Sequence, residues 1–137
     1  MSFTDLELEY LATQRLGRLA TIGPDGFPQN SPVGFWINKE LGTVDIGGHA
    51  MGPSRKFHSV QANPKVSFVV DDIESLQPWK VRGVEIRGVA EALTDQEPPM
   101  PGFSRELIRI HPRRIRSWGL DPALPYGSGR TVRAGAR

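Results

Sequence analysis

Hydrophobic positions near the start of the chain recur at helical spacing. Thr4-Asp5-Leu6-Glu7 is a capping box, and Phe3 and Leu8 are placed to form a hydrophobic staple. These signals predict a helix from Thr4 to about Arg15, with Gly17 just beyond it. Its broad apolar stripe must pack on another element. The residues of that stripe are Leu6, Leu8, Tyr10, Leu11 and Ala12.

After this helix the pattern changes to short β-like segments separated by turn residues. Gly23-Pro24-Asp25-Gly26 is a strong turn, and Gly83 and Gly88 mark bends in a long strand. Pro28 and Pro32 cannot donate to a ladder, so their strand has a free edge or a bulge. We expect strands at 18–22, 27–37, 43–47, 66–71, 81–93 and 105–118, and loops at 72–80 and 95–102. The order predicts a mainly β fold with short helices, built as a small antiparallel barrel.

Residues 47–56, Gly-Gly-His-Ala-Met-Gly-Pro-Ser-Arg-Lys, carry the clearest chemical signal. Pro53 suits the first turn of a second helix, which Asn63-Pro64 ends. Ser54, Arg55 and Lys56 would then lie where free backbone N–H groups and the helix dipole favour an anion. The alternative is a glycine loop beside two solvated charges. The stretch matches neither a P-loop nor a GxGxxG fingerprint.

Composition limits the remaining choices. A chain of 137 residues is one domain, and the absence of cysteine excludes disulfides and thiolate chemistry and fits a reducing cytoplasm. His49, His58 and His111 show no metal-ligand spacing, so no metal site is expected. We expect neither a signal peptide nor a membrane span.

Charge is unevenly distributed. Residues 1–112 hold 11 Lys/Arg and 14 Asp/Glu, whereas residues 113–137 hold six arginines and one acid. The arginines are scattered among Gly and Pro with little aromatic interleaving, so nucleic-acid binding is the least favoured function. We expect an irregular basic tail at 119–137, following a cofactor-binding domain at 1–118.

The order of several short segments resembles the pyridoxamine 5′-phosphate oxidase-like split-barrel family over about residues 5–118. The segments that carry the resemblance are 17–22 (GRLATI), 26–35 (GFPQNSPVGF), 54–56 (SRK), 63–70 (NPKVSFVV) and 84–91 (VEIRGVAE). Within it the chain is most similar to the short actinobacterial members thought to use the deazaflavin coenzyme F420. True pyridoxamine phosphate oxidases are longer and end in a Trp/Arg/His segment, which residues 125–130 do not match.

The resemblance implies an FMN-binding-type split barrel that forms a homodimer with two cofactor sites at the subunit interface. Ser54, Arg55 and Lys56 would hold the cofactor phosphate, and Gly48 and His49 would flank the phosphate arm. Trp79 would reach across the dimer and cover the ring. The ring system would be lined by Gln29, Asn30, Ser31, Pro32 and Val33.

The resemblance also implies a coenzyme F420-dependent reductase that passes a hydride to an electron-poor small molecule. An FMN-binding oxidoreductase and a non-catalytic carrier of flavin, deazaflavin or haem remain alternatives. No catalytic side chain is assigned, because the cofactor carries such chemistry. Trp36 and Trp118 are interpreted as core or interface aromatics, and Asp71-Asp72 as a solvated strand end.

Overall fold

The computed structural model describes residues 2–124 and 129–132. Its eight strands form one antiparallel sheet in the order β2-β1-β5-β6-β7-β4-β3, with β8 paired to β7. In chain order the elements are α1 (Asp5–Ala12), β1 (Leu16–Ile22), β2 (Pro28–Gly34), β3 (Trp36–Asn38), β4 (Thr43–Ile46), α2 (Arg55–Ala62), β5 (Lys65–Leu76), β6 (Trp79–Leu93), β7 (Leu107–Trp118) and β8 (Gly129–Thr131).

The two ends of the main sheet path are consecutive in the chain. Only Phe35 separates β2 from β3, yet these strands lie at opposite ends of the strand order. The sheet must therefore curl until its ends approach, which gives a half-barrel. Its interior is filled by side chains such as Phe68, Ile86, Ile108, Ile110 and Ile115, all fully buried. The expected mainly β barrel with two short helices is confirmed.

The first helix begins as predicted and ends earlier. The Thr4 hydroxyl accepts from the Glu7 N–H, and the Glu7 carboxylate accepts from the Thr4 N–H, so the capping box is present. Tyr10 and Leu11 are buried. The helix stops at Ala12 rather than Arg15, because the Thr13 hydroxyl and N–H both bind the Tyr10 carbonyl and close the last turn.

Two strand predictions are wrong in extent. The segment 72–80 is not a loop, since β5 continues to Leu76 and β6 begins at Trp79, forming a long hairpin. The segment 27–37 is not one strand, because the curl at Phe35 divides it into β2 and β3. The predicted bend at Gly88 is confirmed: the β6–β7 register shifts between Arg87 and Gly88.

The segment expected to be an irregular tail is partly ordered. Gly129–Thr131 forms β8 on the outer side of β7, although this segment has no strand pattern in the sequence. The other tail residues at 125–128 and 133–137 lie outside the described part. Among the described residues no helix has the length and apolar character needed to cross a membrane.

Candidate functional site

The helix α2 begins at Arg55, two residues later than the predicted start at Pro53. Ser54 is its N-cap, so Pro53 precedes the helix and does not occupy its first turn. The Ser54 hydroxyl accepts from the Phe57 N–H at 3.3 Å and donates to the Met51 carbonyl at 2.6 Å. The one proton of this hydroxyl is therefore already donated to the Met51 carbonyl. Ser54 shapes the helix start, and Arg55 and Lys56 remain as the residues that present donors outward.

Arg55 and Lys56 occupy the first two positions of α2. Arg55 is exposed and Lys56 half-buried, and neither side chain forms a hydrogen bond or ion pair with any described residue. Their backbone N–H groups belong to the first turn, which has no intrahelical acceptors. Two unpaired cations and two amides without intrahelical acceptors lie at the positive end of a helix dipole, an arrangement that favours an anion. We call Arg55 and Lys56 the anion seat.

The loop that leads into α2 is held by the loop before β7. The Ser104 hydroxyl donates to the Gly48 carbonyl at 3.1 Å and accepts from the Met51 N–H at 3.0 Å. The Ser104 N–H also donates to the Gly48 carbonyl, at 2.9 Å. Ser104 thus fixes both ends of the glycine-rich turn. Sequence reasoning missed it, because a lone serine in a proline-rich loop carries no local signal.

His49 belongs to the same contact between loops. Its Nδ1 lies 3.1 Å from the Gly102 carbonyl, which can only accept, so Nδ1 carries the proton. Its ring packs edge-on against Phe103 at 4.7 Å between centroids. The imidazole therefore helps to hold the loop that carries Gly48, and its Nε2 is left without a partner among the described residues.

Gln29 connects β2 to α2. Its side-chain oxygen accepts from the Ser59 hydroxyl at 3.0 Å and lies 3.4 Å from the Thr21 hydroxyl, and both hydroxyl residues are buried. Ser59 is one helical turn from Arg55, about 6 Å along the axis. The first part of β2 and the start of α2 are therefore neighbours, as the predicted site requires.

The rest of β2 forms an edge of the described sheet. β2 pairs with β1 alone, which confirms the free edge predicted from its prolines. Asn30 and Pro32 are exposed on one face and Ser31 is half-buried on the other, so this edge of the sheet is accessible to a ligand. Val33 is 5% exposed and belongs to the core, so it would offer a ligand little more than its backbone.

Trp79 lies away from this cluster within one chain. It pairs with Leu76 at the tip of the β5–β6 hairpin and is 64% exposed. Thr21 lies next to the opposite end of β5, because its neighbour Ala20 pairs with Ser67. Nine residues of strand then separate the two places, about 30 Å. A single chain therefore does not bring Trp79 to Gln29 and Arg55.

Asp71 and Asp72 are not a solvated strand end. Arg18 binds Asp71, and Arg82 binds Asp72 through two hydrogen bonds of 2.8 and 3.0 Å. The Tyr10 hydroxyl donates to Asp72 at 3.0 Å. The hydrogen bonds from Arg82 lower the pKa of the Asp72 carboxyl, against a smaller opposing effect of burial. This network joins α1 to the hairpin and is structural.

Another ion pair joins β4 to β7. Arg109 binds Asp45 through two hydrogen bonds of 3.0 Å, and Thr43 and Asn38 donate to the same carboxylate. The hydrogen bonds to Asp45 raise the pKa of Arg109. Both carboxylate oxygens are satisfied, so no free base results. No cluster of potential metal ligands occurs among residues 2–124 and 129–132.

The comparisons with known proteins agree with this architecture. The sequence model described as pyridoxamine 5′-phosphate oxidase matches residues 3–119. The chain belongs to the pyridoxamine 5′-phosphate oxidase family. A curated member, the 5a,11a-dehydrotetracycline/5a,11a-dehydrooxytetracycline reductase of Streptomyces rimosus subsp. rimosus, is 49% identical over 128 residues. The match covers 93% of this chain and 90% of that protein, so the chain is an oxidoreductase of this family.

Solved structures of other proteins share the fold. A conserved hypothetical protein from Mycobacterium tuberculosis has a TM-score of 0.67 at 25% identity, covering 98% of this chain and 95% of that one. A protein named as an F420 reductase has a TM-score of 0.56 at 24% identity, covering 74% and 88%. The split-barrel family predicted from the sequence is therefore confirmed.

Proposed function

We propose that this chain is a coenzyme F420-dependent reductase that passes a hydride to an electron-poor, unsaturated organic molecule. The 49% identity to a reductase of a dehydrotetracycline carries the proposal, since the two chains match over nearly their whole lengths. The relative's name describes the reduction of an electron-poor polycycle. The name of the solved F420 reductase supports the choice of cofactor.

The donors at the start of α2 fit the phosphate of such a cofactor. A phosphodiester has no proton to donate, so it needs what Arg55 and Lys56 offer, which is charge and N–H donors without competing acceptors. The Ser54 hydroxyl helps to shape the anion seat but gives it no donor, because its proton is donated to the Met51 carbonyl. Gly48 and His49 would border the anion from the adjoining loop.

The edge of β2 would hold the ring. Gln29, Asn30, Ser31 and Pro32 present a half-exposed ledge within reach of α2. In an antiparallel pair, alternate residues direct their N–H and C=O groups outward. Because Pro28 and Pro32 lack an N–H, Asn30 is left as the donor between them. This broken edge resists addition of another strand and leaves room for a flat ring.

The protein's part in the reaction is to bind, orient and exclude water. A bound reduced deazaflavin would supply two electrons and a proton as hydride to a carbon–carbon double bond, and solvent would supply the second proton. The described chain places no paired acid and base beside β2. We therefore assign no catalytic side chain.

We further propose that the functional unit is a cytoplasmic homodimer. Ile73, Leu76 and Trp79 are at least half exposed at the hairpin tip, and a second chain would cover them. Such a dimer would also bring the partner subunit's Trp79 toward the ring, which the geometry of one chain does not allow. Sedimentation velocity at micromolar protein should give a dimer, and a monomer would overturn this arrangement.

Cofactor titration tests the proposed function. Oxidised F420 and FMN are titrated separately into the purified protein, with binding followed by calorimetry. We expect F420 to bind more tightly, and reduced F420 to be consumed when an electron-poor unsaturated polycycle is added. Tighter FMN binding with flavin-dependent turnover would favour the FMN oxidoreductase. Tight binding without turnover would favour a carrier, and binding of neither cofactor would overturn the proposal.

A further inference from the structure

A cavity lies between α1 and β3, apart from the anion seat at α2. Its volume is about 490 Å³, which is within the usual range for small-molecule sites. Apolar and aromatic side chains dominate its wall, which also includes the flexible side chain of Met100. The residues that line it include Leu11, Ala12, Arg15, Trp36, Lys39 and Phe103.

The aromatic part of the wall suits a flat ligand. Trp36 and Phe103 meet edge to face with 5.7 Å between ring centroids, so their ring planes form a corner. Trp36 is half-buried and is not part of the closed core. A planar ring system can stack on one face of this corner while its edge contacts the other.

The charge of the cavity is of one sign. Arg15 and Lys39 line it, both are exposed, and neither forms an ion pair or hydrogen bond with any described residue. No aspartate or glutamate is among the residues that line it. A ligand that combines an apolar ring system with an acidic group would satisfy both features.

The cavity lies beside the proposed cofactor ledge. Gly34, the last residue of β2, belongs to its wall and directly follows the ring-lining segment 29–33. Phe103 connects it to the phosphate side as well, because the same ring packs against His49. The cavity is therefore located where a molecule could meet a ring bound along β2.

We propose that this cavity receives the reducible substrate, a flat polycyclic organic acid. Its rings lie against Trp36 and Phe103, and its acidic group pairs with Arg15 and Lys39. The assignment as substrate site rests on the proposed function, whereas binding of the acid to the cofactor-free protein does not. Arg15 and Lys39 line this cavity, whereas Arg55 and Lys56 lie at the start of α2, so different cations would recognise the acidic group of the substrate and the phosphate of the cofactor.

Calorimetry on the cofactor-free protein tests the cavity, with anthraquinone-2-carboxylate and its neutral carboxamide as probes. We expect the carboxylate to bind about 10-fold more tightly than the carboxamide, as charge-assisted contacts allow. The double variant R15Q/K39Q should lose this preference and keep the carboxamide affinity. Equal affinity for the two probes, or no binding of either to the wild type, would overturn the proposal.

A pair of substitutions on α1 tests the location. Ala12→Phe fills the cavity and should weaken both probes at least 10-fold, whereas Leu6→Phe adds its ring at an exposed position that does not line the cavity and should have no effect. Thermal unfolding of both variants checks that they fold. An equal loss in the two variants would show that the probe binds elsewhere.

F420 titrations of the same variants distinguish the two proposals. If Ala12→Phe binds F420 normally and has a raised KM for a polycyclic acid substrate, both stand. If the wild type binds the probes as expected but no cofactor, the cavity stands and the proposed function fails. If it binds and turns over F420 but Ala12→Phe leaves KM unchanged, the cavity is not the substrate site.

Discussion

Arg130 on β8 binds the buried carboxylate of Glu7 at the start of α1. Its guanidinium donates to the two oxygens of Glu7 at 2.8 and 2.5 Å, and to the Ser2 carbonyl at 2.6 Å. Glu7 is only 1% exposed. The same carboxylate caps the helix through the Thr4 N–H. Through this ion pair, β8 anchors α1 to the barrel.

Replacing Arg130 with Ala should destabilise the protein. The change leaves Glu7 buried with its charge uncompensated, and we expect a loss of about 2 kcal/mol because Arg130 is itself partly exposed. Urea unfolding followed by circular dichroism measures it. Arg113→Ala is the control, since it removes a nearby cation without touching Glu7. Equal stability of wild type and Arg130→Ala would show that the pair contributes nothing.

Acid should weaken the ion pair between Arg130 and Glu7. Burial alone raises the pKa of the Glu7 carboxyl, but the hydrogen bonds from Arg130 and Thr4 outweigh it and hold the pKa below its ordinary value of 4.5. Below about pH 4.5 the unfolded chain then binds more protons than the folded one, so stability is present above this pH and falls as the pH drops further.

Unfolding midpoints between pH 7 and 3.5 measure this dependence. Glu7→Gln has no carboxyl to protonate and should show a shallower loss of stability below pH 4.5, from a lower starting value. The Asp72 carboxyl, whose pKa is also lowered, should supply the remaining slope. Identical slopes for wild type and Glu7→Gln would remove Glu7 from the acid response.

Local signals in the sequence predicted those parts of the fold that depend on neighbouring residues. The Thr4 capping box, the free edge of β2 and the bend at Gly88 each follow from residues a few positions apart. The extension of the β5–β6 hairpin was missed because polar residues such as Asp72 are satisfied by partners distant in sequence, Tyr10 and Arg82.

The residues of the candidate site also differ in whether the local sequence predicts them. Arg55 and Lys56 follow from a helix start that the sequence displays, although the helix begins two residues later than predicted. Gln29 came from the family resemblance, and the structure supplies its physical partner, Ser59. Ser104 and Arg130 have no local signature, because each acts on a segment that only folding brings near.

A carboxylate near the anion seat should weaken cofactor binding. The Glu106 side chain packs over Gly52, where an added Cβ would lie 3.1 Å from its carboxyl carbon, and Gly52 is three residues before Arg55. The three residues from Gly52 to Arg55 span a distance comparable to the electrostatic screening length at physiological salt. The Glu106 carboxylate should therefore repel an anion bound at Arg55, and we expect Glu106→Gln to tighten F420 binding by a few-fold. Calorimetry at low salt measures the change, and Glu97→Gln is the matched control. Unchanged or weaker binding would show that Glu106 does not oppose the anion.

The strongest prediction concerns Arg55 and Lys56 together. If they hold the cofactor phosphate, R55A/K56A should weaken F420 binding about 100-fold or more, since each charge-assisted hydrogen bond is worth about 1.5–3 kcal/mol. Stability should change by less than about 0.5 kcal/mol, because neither side chain has a partner in the described chain. Wild-type affinity should also fall as salt rises, and the salt dependence should largely disappear in the double variant.

Arg87→Ala is the control for this experiment. It removes one exposed cation on β6, whose contact with Glu85 is long at 3.5 Å, and should leave cofactor affinity unchanged. Substituting Arg55 and Lys56 singly would show whether each contributes. If R55A/K56A binds both F420 and FMN as tightly as the wild type, the phosphate does not lie at the start of α2. Retained binding with the salt dependence intact would then direct the search to the arginines of β7.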